Sequence, residues 1–385
     1  MIKGSQGYFD WNATTPLREV ARAAWLNASS NHWQNPSSLY HAAGMTAQRL
    51  DAARERLADL LGCEAERIVF TAGATEANNM LQAGLARRGV NKNRRALISS
   101  IEHPSVREPT LKSWGAFLHK ELPVDADGVV VIDELRQAIA FGDVGIVSVI
   151  SASNESGVLQ PWQEIAALCR RCGVPFHTDA TQWVGKMPSQ GLGACDYVTG
   201  SGHKFGGPKG TGFLVLSDPD EKLCLLHGGP QENGQRAGTE NYPGIEAMVC
   251  ALEEACAQAP TAAAAQARLR DEFESTMKSI FPALKIISES AARLWNTSLM
   301  ALPAHSNLKW LTRLSRRGFS ISTGSACSSG REGSSVIVSA LGASPEELRR
   351  VVRISAGWDT SAEEWAALAA AFAETYTELE SGKMP

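Results

Sequence analysis

This 385-residue chain has no apolar run long enough to cross a bilayer, although 44% of its residues are hydrophobic. Its first residues, Met1-Ile2-Lys3-Gly4-Ser5-Gln6-Gly7, lack the apolar stretch of an export signal. The net charge is only −4, so no strong basic field exists to draw nucleic acid or an anionic membrane surface. The 8 cysteines are scattered without the regular spacing of a disulfide framework. With no export signal, this predicts reduced thiols and an intracellular, cytoplasmic protein. Cys169 and Cys172 form a C-x-x-C pair, but they lie in a predicted helix (Trp162 to Cys172) with no second pair nearby. They are read as helix residues rather than a redox or metal site. Internal repeats and low-complexity linkers are missing as well.

What is present is an alternation of short apolar runs with helix-length segments. Arg67–Thr71, Ala96–Ser100, Gly145–Ala152, Pro175–Ala180, Tyr197–Gly200 and Thr211–Leu216 read as strands. Ala77–Arg88 and a segment after His103-Pro104 read as helices. This predicts a parallel sheet covered on both faces. After about Gly244 the pattern changes. Glu246–Phe281 is a long alanine-rich helix, followed by a smaller α+β region. Ser361 and Glu364 have capping-box spacing at the start of a final amphipathic helix. The length is too great for one small core. The expected division is an N-terminal arm (1–16) packing with the small domain, a large domain (17–248) and a small C-terminal domain (249–385).

The richest stretch is Ser201-Gly202-His203-Lys204-Phe205-Gly206-Gly207, a hydroxyl, an imidazole and an amine ahead of paired glycines. A confined lysine amine is a nucleophile able to form a Schiff base. The flanking Ser201 and His203 suit a phosphate, and together they suggest a lysine carrying pyridoxal phosphate (PLP). The plain alternative is a surface lysine in a polar loop. That coenzyme also needs a carboxylate for its pyridine nitrogen, a phosphate cradle and a stacking surface. Thr75, in Gly73-Ala74-Thr75 between a strand and a helix, supplies a cradle candidate; it would equally serve as an N-cap. Asp179 ends a strand in His177-Thr178-Asp179-Ala180-Thr181-Gln182 and faces the same choice between pyridinium partner and helix cap. Gln182 could reach the ring hydroxyl and His103 could stack, while His177 reads as structural. Arg353 interrupts the strand-like Val351-Val352-Arg353-Ile354-Ser355, where its charge demands an anionic partner unless it points to solvent. Cys327 sits among small residues in Ser322-Thr323-Gly324-Ser325-Ala326-Cys327-Ser328-Ser329-Gly330, which suits a nucleophile more than a packed thiol.

Seven segments, in order along nearly the whole chain, resemble the cysteine desulfurases that supply sulfur for iron–sulfur clusters. They are Tyr8-Phe9-Asp10 to Pro16, Ala74-Thr75-Glu76-Ala77-Asn78-Asn79, Glu102-His103, Asn154-Glu155, His177-Thr178-Asp179-Ala180, Ser201-Gly202-His203-Lys204 and Arg236-Ala237-Gly238-Thr239-Glu240-Asn241. The resemblance implies PLP-dependent transferase fold type I: a large α/β domain with a mainly parallel, doubly covered sheet, plus a smaller α+β domain. It implies that Lys204 holds PLP, Asp179 pairs with the pyridine nitrogen, Gln182 with the ring oxygen, and His103 stacks. Thr75, Ser201 and His203 would hold the phosphate, with Thr239 joining from the other subunit of a homodimer. Asn154 and Arg353 would bind the carboxylate of L-cysteine. Lys204 would move the Cα proton, with His103 as a further proton partner. Cys327 would take the sulfur as a persulfide, leaving alanine, and pass it to an acceptor protein. A selenocysteine lyase or another class V aminotransferase are the alternatives within the fold. A non-enzymatic PLP-binding or sulfur-carrier protein is the alternative outside it. Pro230 and Asn233 depart from the residues common at those places in the family, and the tail after Leu379 is shorter than in relatives that dock a cluster scaffold.

Overall fold

The computed structural model describes residues 6–87, 94–323 and 335–381; Cys327 lies outside them. The chain forms α1 (Glu19–Asn31), α2 (His41–Leu61), β1 (Ile68–Thr71), α3 (Ala74–Arg87), β2 (Arg95–Ser99), α4 (Pro104–Trp114), β3 (His119–Leu122) and α5 (Ile132–Ala140). It continues through β4 (Val144–Ser148), α6 (Trp162–Arg171), β5 (Phe176–Asp179), β6 (Tyr197–Ser201), β7 (Gly212–Val215) and α7 (Tyr242–Ile280). The remainder is β8 (Lys285–Ile286), β9 (Thr297–Ala301), α8 (Asn307–Arg316), α9 (Val336–Ala340), α10 (Pro345–Leu348), β10 (Val351–Ser355) and α11 (Ala362–Glu380).

Seven strands form one sheet in the order β1-β7-β6-β5-β4-β2-β3. Its central strands are buried along their whole length, because helices cover both faces. The edge strand β3, His119-Lys120-Glu121-Leu122, shows polar residues to solvent. All neighbours pair in parallel except β7, which runs antiparallel to both β1 and β6. This is the mainly parallel α/β sheet that the alternation predicts. Connections leave β2 toward β3 and leave β4 toward β5, so strand order reverses between β2 and β4. A crevice opens at the carboxyl ends of strands at such a point.

A second sheet, β10-β9-β8, is antiparallel. It has its own core around Phe273, Met300, Trp310, Val352, Trp365 and Phe372. The 39-residue α7 links the two cores. Its first half packs Ile245, Met248, Val249 and Leu252 on the large sheet, and its second half carries Phe273 and Met277 into the small core. The alanine-rich helix is therefore longer than its sequence boundaries, starting at the Asn241 cap whose side chain accepts from Gly244 N–H. The Ser361–Glu364 capping box forms as expected.

The segment before α1 joins the two halves. Phe9 and Ser355 exchange a backbone bond, as do Trp11 and Ser355, so residues 9–11 run along β10. The Thr15 amide and hydroxyl then reach the His203 carbonyl beside the large sheet. Arg18 lies 3.6 Å over the Trp358 ring and donates to the Phe205 carbonyl.

Candidate active site

A cavity of about 470 Å³ opens at the carboxyl ends of the parallel strands, and Thr75, His103, Asn154, Asp179, Gln182, Ser201, His203, Lys204 and Arg353 all line it. Nine sequence-predicted residues, spread over 278 positions from Thr75 to Arg353, thus meet in one place. Thr239 does not: it lines a neighbouring cavity of about 60 Å³ with Arg236 and Glu240. Ala72 and Gly210 border both cavities.

The loop after β1 builds the anion end. Helix α3 begins at Ala74, so Thr75 is its second residue and not its N-cap. Its first amides have no intrahelical acceptor and carry the positive end of the helix dipole. Ser201 closes β6 opposite: a Cβ on Gly73 would stand 3.4 Å from the Ser201 hydroxyl. The loop can lie this close because β7 starts with glycine; a Cβ on Gly212 would come within 2.5 Å of the Gly73 Cα. His203 Nδ1 sits 3.1 Å from the Thr14 hydroxyl. Burial and the nearby Lys204 and Lys209 push its imidazole down to about 4, so at neutral pH it is uncharged.

Asp179 closes β5 and is 2% exposed. No helix follows it. Its Oδ1 accepts from the Thr181 amide at 3.0 Å, and its Oδ2 from Asn78 Nδ2 at 3.1 Å. Behind it runs a buried polar ladder. Thr199 donates to Asn78 at 2.8 Å, and His177 bridges Thr199 and Ser148. Burial lowers His177 to about 4, which keeps this ladder neutral and His177 structural. Asn78 also donates to Ser105 Oγ at 2.9 Å.

His103 caps α4. Its Nδ1 accepts from the Ser105 amide at 3.1 Å and lies 2.8 Å from the Ser105 hydroxyl. An amide donor on Nδ1 puts the ring proton on Nε2. Burial and Lys204 lower its affinity for a second proton, against the pull of Asp179. The ring is therefore a neutral, oriented face on the cavity wall.

Lys204 Nζ donates to the Asn12 carbonyl at 2.6 Å and to the Ala13 carbonyl at 2.8 Å. Across the cavity, Arg353 is 1% exposed, which removes the solvent-facing alternative for it. Its Nη2 donates to Asp10 Oδ1 at 2.5 Å and its Nη1 to the Asn154 carbonyl at 2.9 Å. Its Nε is buried with no partner among the described residues. Asn154 is thus drawn to Arg353 through its backbone oxygen.

A phosphorylated pyridine aldehyde fits this donor set. A helix N-terminus with Ser201 and Thr75 would take the phosphate, a buried carboxylate the ring nitrogen, a neutral imidazole the ring face and an amine the aldehyde. Arg353 lines the same cavity, where its guanidinium would meet a carboxylate.

Residues 7–368 match the family described as Aminotransferase class-V. The chain belongs to the class-V aminotransferase family. It is 35% identical over 361 residues to cysteine desulfurase IscS of Dictyoglomus turgidum, covering 93% of this chain and 91% of the relative. Among solved structures, a NifS-like protein superposes with a TM-score of 0.89 at 29% identity, over 97% of this chain and 99% of its own. A structure titled SspA in complex with cysteine has a TM-score of 0.78 at 31% identity, over 91% and 98%. This class-V enzyme accordingly has the fold of the NifS-like cysteine desulfurases.

Several residues of the site carry no signal of their own in the sequence. Asn12, Asp10 and Asn78 lie inside the recognised segments but gain their roles only from partners more than 20 residues away. Lys186 and the carboxyl of Glu102 are buried at 4% and 1% exposure. The cysteines among the described residues are free thiols, Cys169 and Cys172 included, and no group of metal-ligating side chains gathers among those residues.

Proposed function

We propose that this protein is a cysteine desulfurase that binds PLP at Lys204, takes sulfur from L-cysteine, releases L-alanine and leaves a persulfide on Cys327. The observation that carries the reading is the meeting of Lys204, Asp179 and Arg353 on one cavity. An amine, a buried carboxylate and a buried guanidinium are the three charges that such a coenzyme and an amino-acid substrate require.

When bound, the coenzyme supplies an electron sink that loosens bonds around the amino acid's α carbon. The chain does the rest. Asp179 would hold the positive ring nitrogen, and its two donors, Asn78 and Thr181, orient it. Gln182 meets the ring oxygen, and the neutral His103 ring stacks and relays a proton at Nε2. Ser201, Thr75 and His203 hold the phosphate, with the partner subunit's Thr239 completing the cradle. Arg353 and Asn154 anchor the substrate carboxylate. Lys204 Nζ moves the α proton. Cys327 Sγ then attacks the substrate sulfur: the carbon–sulfur bond breaks, a sulfur–sulfur bond forms and the carbon left behind gains a proton to become alanine. The acceptor for that sulfur is a further protein, with iron–sulfur cluster assembly the setting in keeping with the named relatives.

A homodimer belongs to this reading. Trp25, Leu26, Trp33, Leu39 and Tyr40 are exposed and concentrated in one stretch of chain, residues 25–40. A cytoplasmic setting agrees with the free thiols, and no helix among the described residues is long and apolar enough to cross a membrane. Residues 17–248 are read as the coenzyme domain and 249–385 as the small domain, with 1–16 as an arm on the latter.

The test is a reconstituted holoenzyme given L-cysteine, with alanine and protein-bound persulfide measured. Cys327→Ala is expected to abolish the persulfide while keeping the visible colour of bound coenzyme. Unchanged sulfur release from Cys327→Ala would remove Cys327 from the mechanism, and a wild-type chain that takes up no coenzyme would overturn the whole reading.

A further inference from the structure

Lys186 is buried at 4% exposure, and no carboxylate pairs with it among the described residues. Burial and the facing charges of Lys204 and Arg353 push its ammonium well below its ordinary range. A lysine kept in such a place needs a reason, since an unpaired buried cation is strongly disfavoured. Its Nζ makes two bonds, to Asn12 Oδ1 at 2.8 Å and Gln182 Oε1 at 2.5 Å. Even as a neutral amine Nζ carries two N–H groups, one for each oxygen.

Both acceptors belong to the site. With its oxygen held by Lys186, Gln182 must present its NH2 group the other way. One N–H reaches the Asn12 carbonyl at 3.0 Å, and the other remains for the cavity that Gln182 lines. Asn12 is held still more firmly. Its Oδ1 also accepts from Asn296 at 3.1 Å, its Nδ2 donates to Thr297 at 2.9 Å, and its amide donates to Ser355 Oγ at 3.0 Å. Its carbonyl is the one that receives Lys204 Nζ at 2.6 Å. A single buried amine therefore sits behind two of the contacts that set the cavity's polarity.

We propose that Lys186 is a positioning residue for the coenzyme: by holding the amide oxygens of Asn12 and Gln182 together, it fixes Gln182 as an N–H donor to the ring oxygen and locks the Asn12 carbonyl beside Lys204. The inference rests on the PLP reading. Without Lys186 the Gln182 oxygen loses its partner, and only the bond to the Asn12 carbonyl still opposes a turn that would offer that oxygen to the coenzyme oxygen. A donor dipole beside the Lys204 linkage opposes a proton there, and its loss favours one. The pH at which the bound coenzyme changes colour therefore rises when Lys186 is removed.

The experiment uses full-length holoenzyme and a spectrophotometric pH titration of wild type, Lys186→Met, Gln182→Ala and the double variant. The expected result is an upward shift of the colour midpoint in Lys186→Met by about one pH unit, which is about a tenfold gain in proton affinity. In the Gln182→Ala background the same substitution is expected to shift it little, because the residue acts through Gln182. An unshifted midpoint in a coloured Lys186→Met protein overturns the proposal, and so does a shift equal in both backgrounds. Lys186→Gln keeps a polar head but cannot reach both oxygens. It replaces the Met variant, with the same expected and overturning results, if the latter is not recovered folded. A wild-type protein that binds no PLP overturns the underlying reading as well, and is a distinct result from a coloured variant with an unmoved midpoint.

Discussion

Asp10→Asn tests how the carboxylate anchor works. Asp10 Oδ1 and Arg353 Nη2 are 2.5 Å apart, and the Arg353 side chain is 1% exposed. Removing one partner of a fully buried ion pair costs about 3–5 kcal/mol. Two features reduce that figure here. An Asn carbonyl still accepts the bond from Nη2, and the Asp10 side chain is 20% exposed, so water screens part of the lost charge. A loss of about 2 kcal/mol in unfolding free energy is expected, below the fully buried range. The loss has a counterpart in binding. A ligand carboxylate that meets Arg353 restores the missing negative charge, so its affinity rises as stability falls. Relief of about 1.4 kcal/mol corresponds to tenfold tighter binding. The assay is urea unfolding of the holoenzyme at neutral pH with and without L-alanine, together with a direct alanine binding titration. Stability within 0.5 kcal/mol of wild type, roughly the scatter of surface substitutions, would mean that the pair contributes nothing. Weaker alanine binding in the variant would mean that Asp10 shapes the anchor instead of competing with the ligand.

The Glu102 carboxyl is raised to about 8, from an ordinary value near 4.5, chiefly by burial with a further contribution from Asp179. Its Oε1 accepts from Ser99 Oγ and from the Ile150 amide, while Oε2 is buried without a partner among the described residues. The folded state thus holds a proton that the unfolded state releases between these two values. Glu102 contributes stability that is full below about 4.5 and is lost as pH rises through about 8. Glu102→Gln keeps the acceptor and supplies N–H groups in place of Oε2, so its unfolding free energy is expected to fall less than wild type from pH 5 to pH 8. Parallel slopes in denaturation at several pH values would refute this. For the dimer, Trp33 and Leu39 are 70% and 104% exposed. Charged substitutions there, Trp33→Asp with Leu39→Asp, are expected to halve the mass seen by light scattering while leaving the melting transition of the monomer intact. A monomeric wild type or an undissociated variant would rule out that surface.

Much of the site was legible because fold type and chemistry both have local signatures. Strands alternating with helices predict a doubly covered sheet, and in such a sheet the polar residues that end strands share one edge. Asp179 and Lys204 could be put at that edge from sequence alone. The same local signal left them ambiguous, since a short polar residue such as Asp179 after a strand also caps helices and a lysine in a polar loop also lies on surfaces. Thr75 and Asp179 show how tertiary structure resolves this. Helix α3 starts one residue before Thr75, and the chain after Asp179 turns instead of forming a helix. The strand expected through Gly145–Ala152 ends at Ser148, beyond which the Val149 and Ser151 amides still bond to the His177 and Asp179 carbonyls while Ile150 and Asn154 line the cavity.

What the sequence by itself determined is the set of groups that do chemistry and the order of elements that carries them. These depend on residue type and on spacing along the chain, which a sequence states directly. Only the tertiary structure decided how those groups are held. Asp10 meets Arg353 across 343 positions, and Asn12 joins Lys186, Gln182 and Lys204 across up to 192. Pairings this remote have no periodicity to reveal them. They exist because the N-terminal segment runs along β10 and brings one small amide between the two sheets. Burial then gives ordinary side chains their unusual properties: a lysine with lowered proton affinity, a glutamic acid that holds its proton and a histidine that stays neutral. None of these follows from residue type, because each is set by how much water the fold leaves around the group.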